Sequence, residues 1–185
     1  MKNSIVFIFV IFLVFGCKKQ SELSKTFNCN TSKLSNLETY SDFKKNFKIQ
    51  IPTNWKKELY YNEFQSEIFT ADTTKQLSET YILDTAFNFG NLEFNEEFYK
   101  KTDSILAISN LQKVKAGSLQ FKSKPAYWYL VTGTKKGFKY NQFNLMVKLS
   151  KETYFTAYSE IYGTDKIDER ICESISILDN IEFLQ

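Results

Sequence analysis

Histidine is absent from this chain of 185 residues; arginine occurs once, proline twice, cysteine three times and glycine six times. Without imidazole there is no Ser-His-Asp or Cys-His catalysis and no imidazole-based zinc site. The three cysteines show no CxxC spacing, and no histidine stands by to lower a thiol pKa. Scarce Pro and Gly, beside 43% hydrophobic and 17% aromatic residues, exclude a disordered, collagen-like or low-complexity chain. An excess of one charge is missing too. Lys and Arg number 24 against 21 Asp and Glu, for a formal charge of +3. Loss of Lys2 with a leader would make it +2, so no nucleic-acid partner is expected.

What is present begins at the amino terminus. Lys2 precedes an unbroken apolar run from Ile5 to Phe15, eleven residues long. A membrane-spanning helix takes about 20 residues, so the run fits the core of a secretory signal instead. It ends in Leu13-Val14-Phe15-Gly16-Cys17. This segment resembles the lipobox of bacterial lipoproteins, with Val14 as the aliphatic residue, Gly16 as the small one and Cys17 as the acceptor. Phe15 is bulkier than is usual there. The resemblance implies a signal peptide over 1–16, a diacylglyceryl group on the Cys17 thiol, and acylation of the new amino terminus. Two or three acyl chains anchor a protein stably where one does not. Lys18 and Lys19 follow, with no Asp behind the Cys. By resemblance to the usual sorting rule, that places the protein on the periplasmic face of the outer membrane, where the cell has one. Residues 17–40 are polar, lack clear periodicity and are expected to act as a tether.

The remaining residues, 41–185, are expected to form one domain. Asn46 to Ile51 alternates as a half-buried strand, and Pro52 to Asn54 reads as a turn. Tyr60-Tyr61, Phe64 to Ala71 and Tyr81 to Phe89 read as further strands. Asn95 is the expected N-cap of a helix reaching Ser109, with Glu96 and Glu97 in its first turn. Four strands follow, over 114–121, 126–134, 138–149 and 153–162, with a turn at Gly137. Thr164 or Asp165 is the expected cap of a last helix, whose stripe is Ile167, Ile171, Ile175 and Leu178. The fold class is α+β: an antiparallel sheet packed against two amphipathic helices.

The motif Phe47-x-Ile49-x-Ile51-Pro52-x-Asn54-Trp55, the mid-chain helix and the paired long strands before the last helix resemble the PsbP-like family. That family is named for an extrinsic photosystem II subunit, and its fold also occurs in a Ran-binding nuclear import factor. The resemblance covers about residues 40–185 and implies an α/β/α sandwich. It carries over no functional residue, and neither photosystem nor Ran binding is implied.

With Cys17 acylated, Cys29 and Cys172 are the leftover thiols of an exported protein. They either pair or remain as one buried and one free thiol. The acidic clusters Asp165, Asp168, Glu169 and Glu93, Glu96, Glu97 sit at expected helix starts, where they offset the dipole; no metal site or cofactor is read from them. In the last long strand Tyr154, Tyr158 and Tyr162 share a face with Thr156 and Glu160, and Tyr127, Trp128 and Tyr129 lie in a neighbouring strand. The three tyrosines form either a partner-binding stripe or core under a helix, with mid-strand Tyr158 foremost among the buried rings. No catalytic set is recognisable, so no enzymatic activity is expected. The expected function is a membrane-anchored scaffold for an envelope protein partner. The alternative is a carrier holding a small apolar ligand between sheet and helix.

Overall fold

The computed structural model describes residues 20–30 and 34–184; the lipobox and Cys17 lie outside the described residues. In chain order the elements are α1 (Glu22–Thr26), β1 (Leu37–Ser41), β2 (Phe47–Pro52), β3 (Lys56–Tyr61), β4 (Gln65–Ala71) and β5 (Tyr81–Phe89). There follow α2 (Glu96–Ile108), β6 (Gln112–Phe121), β7 (Lys124–Lys135), β8 (Phe138–Lys148), β9 (Thr153–Tyr162), α3 (Ile167–Leu178) and β10 (Glu182–Phe183). Among the described residues no helix is long and apolar enough to cross a membrane.

A seven-stranded antiparallel sheet runs in the order β3-β4-β5-β9-β8-β7-β6. It is two meanders: β3 to β5, and β6 to β9 after α2 has carried the chain to the far edge. Period-two sequence builds its inner face. Ser66, Ile68 and Thr70 of β4, Phe143, Leu145 and Val147 of β8, and Phe155, Ala157, Ser159 and Ile161 of β9 all turn inward and are buried. The β7–β8 hairpin closes on Lys136-Gly137, both at positive φ (53° and 81°), the conformation a two-residue hairpin turn demands.

That inner face is covered by a small sheet, β1-β2-β10, together with α3 and α1. Phe47, Ile49 and Ile51 of β2 point into the same core as Ile171, Ile175 and Leu178 of α3, and Ile167 packs at its margin. The α+β sandwich expected from sequence is therefore present, with a second sheet and a third helix added. Asn95 caps α2 as expected, its side chain accepting a hydrogen bond from the Phe98 amide. The cap of α3 differs. Neither Thr164 nor Asp165 fills it; Lys166 stands there in the left-handed region (φ 51°) without a side-chain bond. The sole arginine secures the junction instead. Arg170, 4% exposed, donates from one nitrogen to the carbonyls of Ser78, Thr80 and Tyr162 at 2.9–3.0 Å and from another to Asp165.

Within the stretch 17–40, expected as a tether, the described residues 20–30 and 34–40 lie docked on the domain. Ser21 caps α1, and the Ser21 and Ser24 hydroxyls both donate to the Asp179 carboxylate at the end of α3, at 2.8 Å. Leu23 is 1% exposed in the core, and β1 pairs antiparallel with β2. Cys29 and Cys172 form a disulfide. A helix of five residues with one buried leucine is too short to show a period, which is why the sequence hides it. The bond closes a loop of 143 residues, for which chain entropy gives an upper value of about 5 kcal/mol. Cys172→Ser is expected to lower the urea midpoint and expose the segment before Leu34 to protease, whereas denatured, unreduced wild type should titrate no thiol from Cys29 or Cys172.

Candidate functional site

The outer face of the large sheet is only partly covered. α2 lays Phe98, Tyr99 and Leu106 over Tyr127, Tyr129 and Val131 of β7, with Met146 of β8 at the margin. Beside the helix, β4, β5 and β9 present Glu67, Asp84, Asn88, Tyr154, Thr156 and Tyr158 to an open cleft of about 540 Å³, whose α2 wall carries Glu97 and Lys101. Strand alternation puts these side chains together. Glu67 and Phe69 share a face of β4, Asp84 pairs with both Phe69 and Tyr158 across the ladders, and Asn88 pairs with Tyr154. Farther along β4 and β5 the same face forms a second hollow of about 410 Å³ against Phe69, Ala71, Leu77 and Ile82.

The cleft is acidic. Burial raises the Asp84 carboxyl, and the facing Glu67 carboxyl raises it further, to about 7. Glu67 itself is raised by burial. The two are diagonal neighbours across the β4–β5 pair, close enough for their carboxyls to interact directly. One Asp84 oxygen (Oδ1) is buried without a hydrogen-bond partner among the described residues. Glu160 behaves differently. Burial raises it, but Lys135 at 2.8 Å and a hydrogen bond from Tyr162 prevail, and its pKa lies below the usual range. Asn88 is held in place, donating to the Thr156 hydroxyl at 3.1 Å. Burial, above all, raises the Tyr158 phenol.

The expected tyrosine stripe divides. Tyr154 and Tyr158 are half-buried and line the cleft. Tyr162 does not: it is 3% exposed, its hydroxyl donates to Glu160 at 3.0 Å, and its ring packs on Tyr140. The ring taken fully into the core is thus Tyr162, not Tyr158, because the Glu160–Lys135 pair and Tyr140 close over that end of the strand. Asp168 and Glu169 lie in the first turn of α3, and Glu96 and Glu97 in that of α2, as dipole-facing acids. Glu67 and Asp84 escaped the sequence reading. Their signal was a carboxylate at mid-strand on the face where Phe69 and Ile82 stand.

Two outcomes follow from this geometry. Tyr162→Ala is expected to cost about 3–5 kcal/mol and Tyr158→Ala roughly 1–3 kcal/mol, read as urea midpoints at unchanged m. Asp84 is raised in the fold above its unfolded value. Its contribution to stability is therefore complete below about pH 4 and is lost as pH rises through about 7. Asp84→Asn should melt higher than wild type at about pH 8, and that advantage should shrink toward pH 4.

No protein-family model matches the chain, and no curated protein does. Among solved structures it is similar to the cyanobacterial PsbP (CyanoP) of Synechocystis sp. PCC 6803, at 10% identity and a TM-score of 0.58, over 84% of this chain and 96% of that one. Weaker likenesses join it to a variant of Mog1 (10% identity, TM-score 0.48, 81% and 97% of the two chains) and to LpqN, involved in cell envelope biogenesis of Mycobacterium tuberculosis (9%, 0.44, 78% and 88%). At such identities the likeness to CyanoP is one of architecture: the chain has a PsbP-like fold.

Proposed function

We propose that this chain is a non-catalytic binding module, held at the cell envelope by lipid on Cys17, whose open outer face receives a cationic segment of an envelope protein. The observation that carries the reading is the uncovered cleft, where the Glu67–Asp84 pair stands beside the aromatic surfaces of Tyr154 and Tyr158. Tyrosine rings and carboxylates together suit Lys or Arg side chains, which stack on the one and pair with the other. Lys56 is bound to Glu58 and Lys135 to Glu160, and the one lysine lining the cleft, Lys101, stands with the carboxylates Glu67, Asp84, Glu93 and Glu97. A partner held on the module would stay at the membrane surface.

The two other readings fit less well. A glycosidase-like pair keeps its carboxyls about 5 Å or more apart to admit the scissile bond or a water, whereas those of Glu67 and Asp84 are close enough to interact directly. A carrier of an apolar ligand would use this same space between sheet and helix, but its lining of carboxylates, amides and hydroxyls would leave polar groups unpaired.

The test is calorimetric, with lipidated protein in nanodiscs and short Lys-rich or Glu-rich peptides containing tyrosine. The Lys-rich peptide should bind, weaken as pH falls from about 8 to about 5, and lose about tenfold or more with Asp84→Asn. Equal binding of both peptides, or indifference to Asp84→Asn, would overturn the cleft as the site. Cys17→Ser tests the anchor separately: the variant should move from the detergent phase to the aqueous phase.

A further inference from the structure

The docking of α1 shortens the path from the proposed anchor. Gln20 already bonds the Cys29 carbonyl at 2.7 Å, and Ser21 bonds Asp179, so the chain is fixed to the domain at Gln20. From Cys17 to Gln20 is three residues, a reach of about 10 Å at full extension. A lipid on Cys17 therefore holds the domain against the bilayer, and the part of the molecule nearest Gln20 faces it.

That part can be located from hydrogen bonds and strand register. The Gln120 amide donates to Glu22 at 3.0 Å, and the Lys122 ammonium donates to the Asp179 carbonyl at 2.6 Å, so the chain enters beside the β6–β7 turn. One row of paired residues crosses the sheet just inside that end: Leu119, Ala126, Val147, Phe155, Phe87 and Ser66. The β8–β9 and β3–β4 turns lie at the same end. The β1–β2 turn joins them, because the Lys44 ammonium donates to the Asn62 carbonyl at 2.7 Å.

This end carries exposed aromatic rings and lysines. Phe64 at the β3–β4 turn is 65% exposed, and Phe43 at the β1–β2 turn is 55% exposed and stacks on Tyr61 with centroids 3.9 Å apart. The turn does not need the Phe64 ring: Asn62 Oδ1 accepts the amides of Phe64 and Gln65 and builds it. The turns at this end also carry exposed Lys44, Lys45, Lys122, Lys124 and Lys151, against exposed Glu63 and Glu152. Aromatic rings favour the headgroup level of a bilayer, and lysines near an anionic surface each contribute about 1 kcal/mol.

We infer that this end of the sheet rests on the membrane, with Phe43 and Phe64 seated among the headgroups and the lysines over anionic lipid. The inference rests on the lipid anchor proposed for Cys17. It stands the sheet on its end, so that the Glu67–Asp84 cleft opens sideways and its Gln65–Asn88 mouth lies at the membrane end.

The experiment uses the lipidated chain in vesicles of phosphatidylcholine with or without phosphatidylglycerol. Cys17 is then a thioether and Cys29–Cys172 a disulfide, so one introduced thiol takes an environment-sensitive fluorophore. Phe64→Cys and Lys151→Cys probe the membrane end, and Lys139→Cys the opposite end. Labels at 64 and 151 should shift to the blue and be quenched by a lipid-borne quencher, more strongly with phosphatidylglycerol; the label at 139 should do neither. Vesicle-bound protein whose labels at 64 and 151 are as water-exposed as the one at 139 would overturn the inference and leave the anchor standing. Protein that fails to float with vesicles would overturn the anchor, and with it the inference. Agreement between 64 and 151 guards against disruption of the turn by either substitution.

Discussion

The Cys29–Cys172 bond fixes where the chain enters the domain, and much of the structure depends on that point. It pins the segment carrying α1 to the middle of α3, seating Leu23 in the core and bringing Phe27 edge-on against Trp128 and Phe143. Those contacts roof the inner face where the small sheet ends. With α1 held, its serines reach the Asp179 carboxylate at the end of α3, and Glu22 reaches the β6 backbone. Entropy lost by the unfolded loop supplies the stability, and the position of Gln20 at one end of the sheet is the consequence.

Coverage of the outer face is a matter of dimensions. Seven strands about 4.8 Å apart make a sheet nearly 30 Å wide, whereas one helix is about 10–12 Å across with its side chains. α2 crosses from β5 to the distant β6 and buries the apolar rings of β7 on its way. It leaves β4, β5 and β9 uncovered, and there the sequence places Glu67, Asp84, Asn88 and Thr156 instead of aliphatic residues. Carboxyls set side by side in a half-dry cleft raise one another, which is why Asp84 titrates near neutrality while Glu160, paired with Lys135, does not.

Arg170 illustrates how one buried cation can organise an end of the fold. The start of β5, the end of β9 and the entry to α3 meet there with carbonyls facing inward, and the guanidinium satisfies four of them. Lys166 can then occupy the N-cap in a left-handed conformation without a side-chain bond, because Arg170 one turn later holds the helix start in place.

By itself the sequence determined the elements whose periodicity is long and clean. Alternation in β2, β8 and β9 set their buried faces, Asn95 and the glutamates after it set the start of α2, and the isoleucine stripe set the buried side of α3. The class of fold followed, as did the pairing of Cys29 with Cys172 as one of two readings. Tertiary structure decided everything that needed two distant segments at once. α1 and β1 were illegible because short segments have no period and are held by a disulfide, by Asp179 and by the edge of β2. Tyr162 was buried and Tyr158 left at a cleft by neighbours from β7, β8 and β5. Glu67 and Asp84 lie 17 residues apart, and only strand register brings their carboxyls into contact, since a side chain's chemistry is written locally but its partners are chosen by the fold.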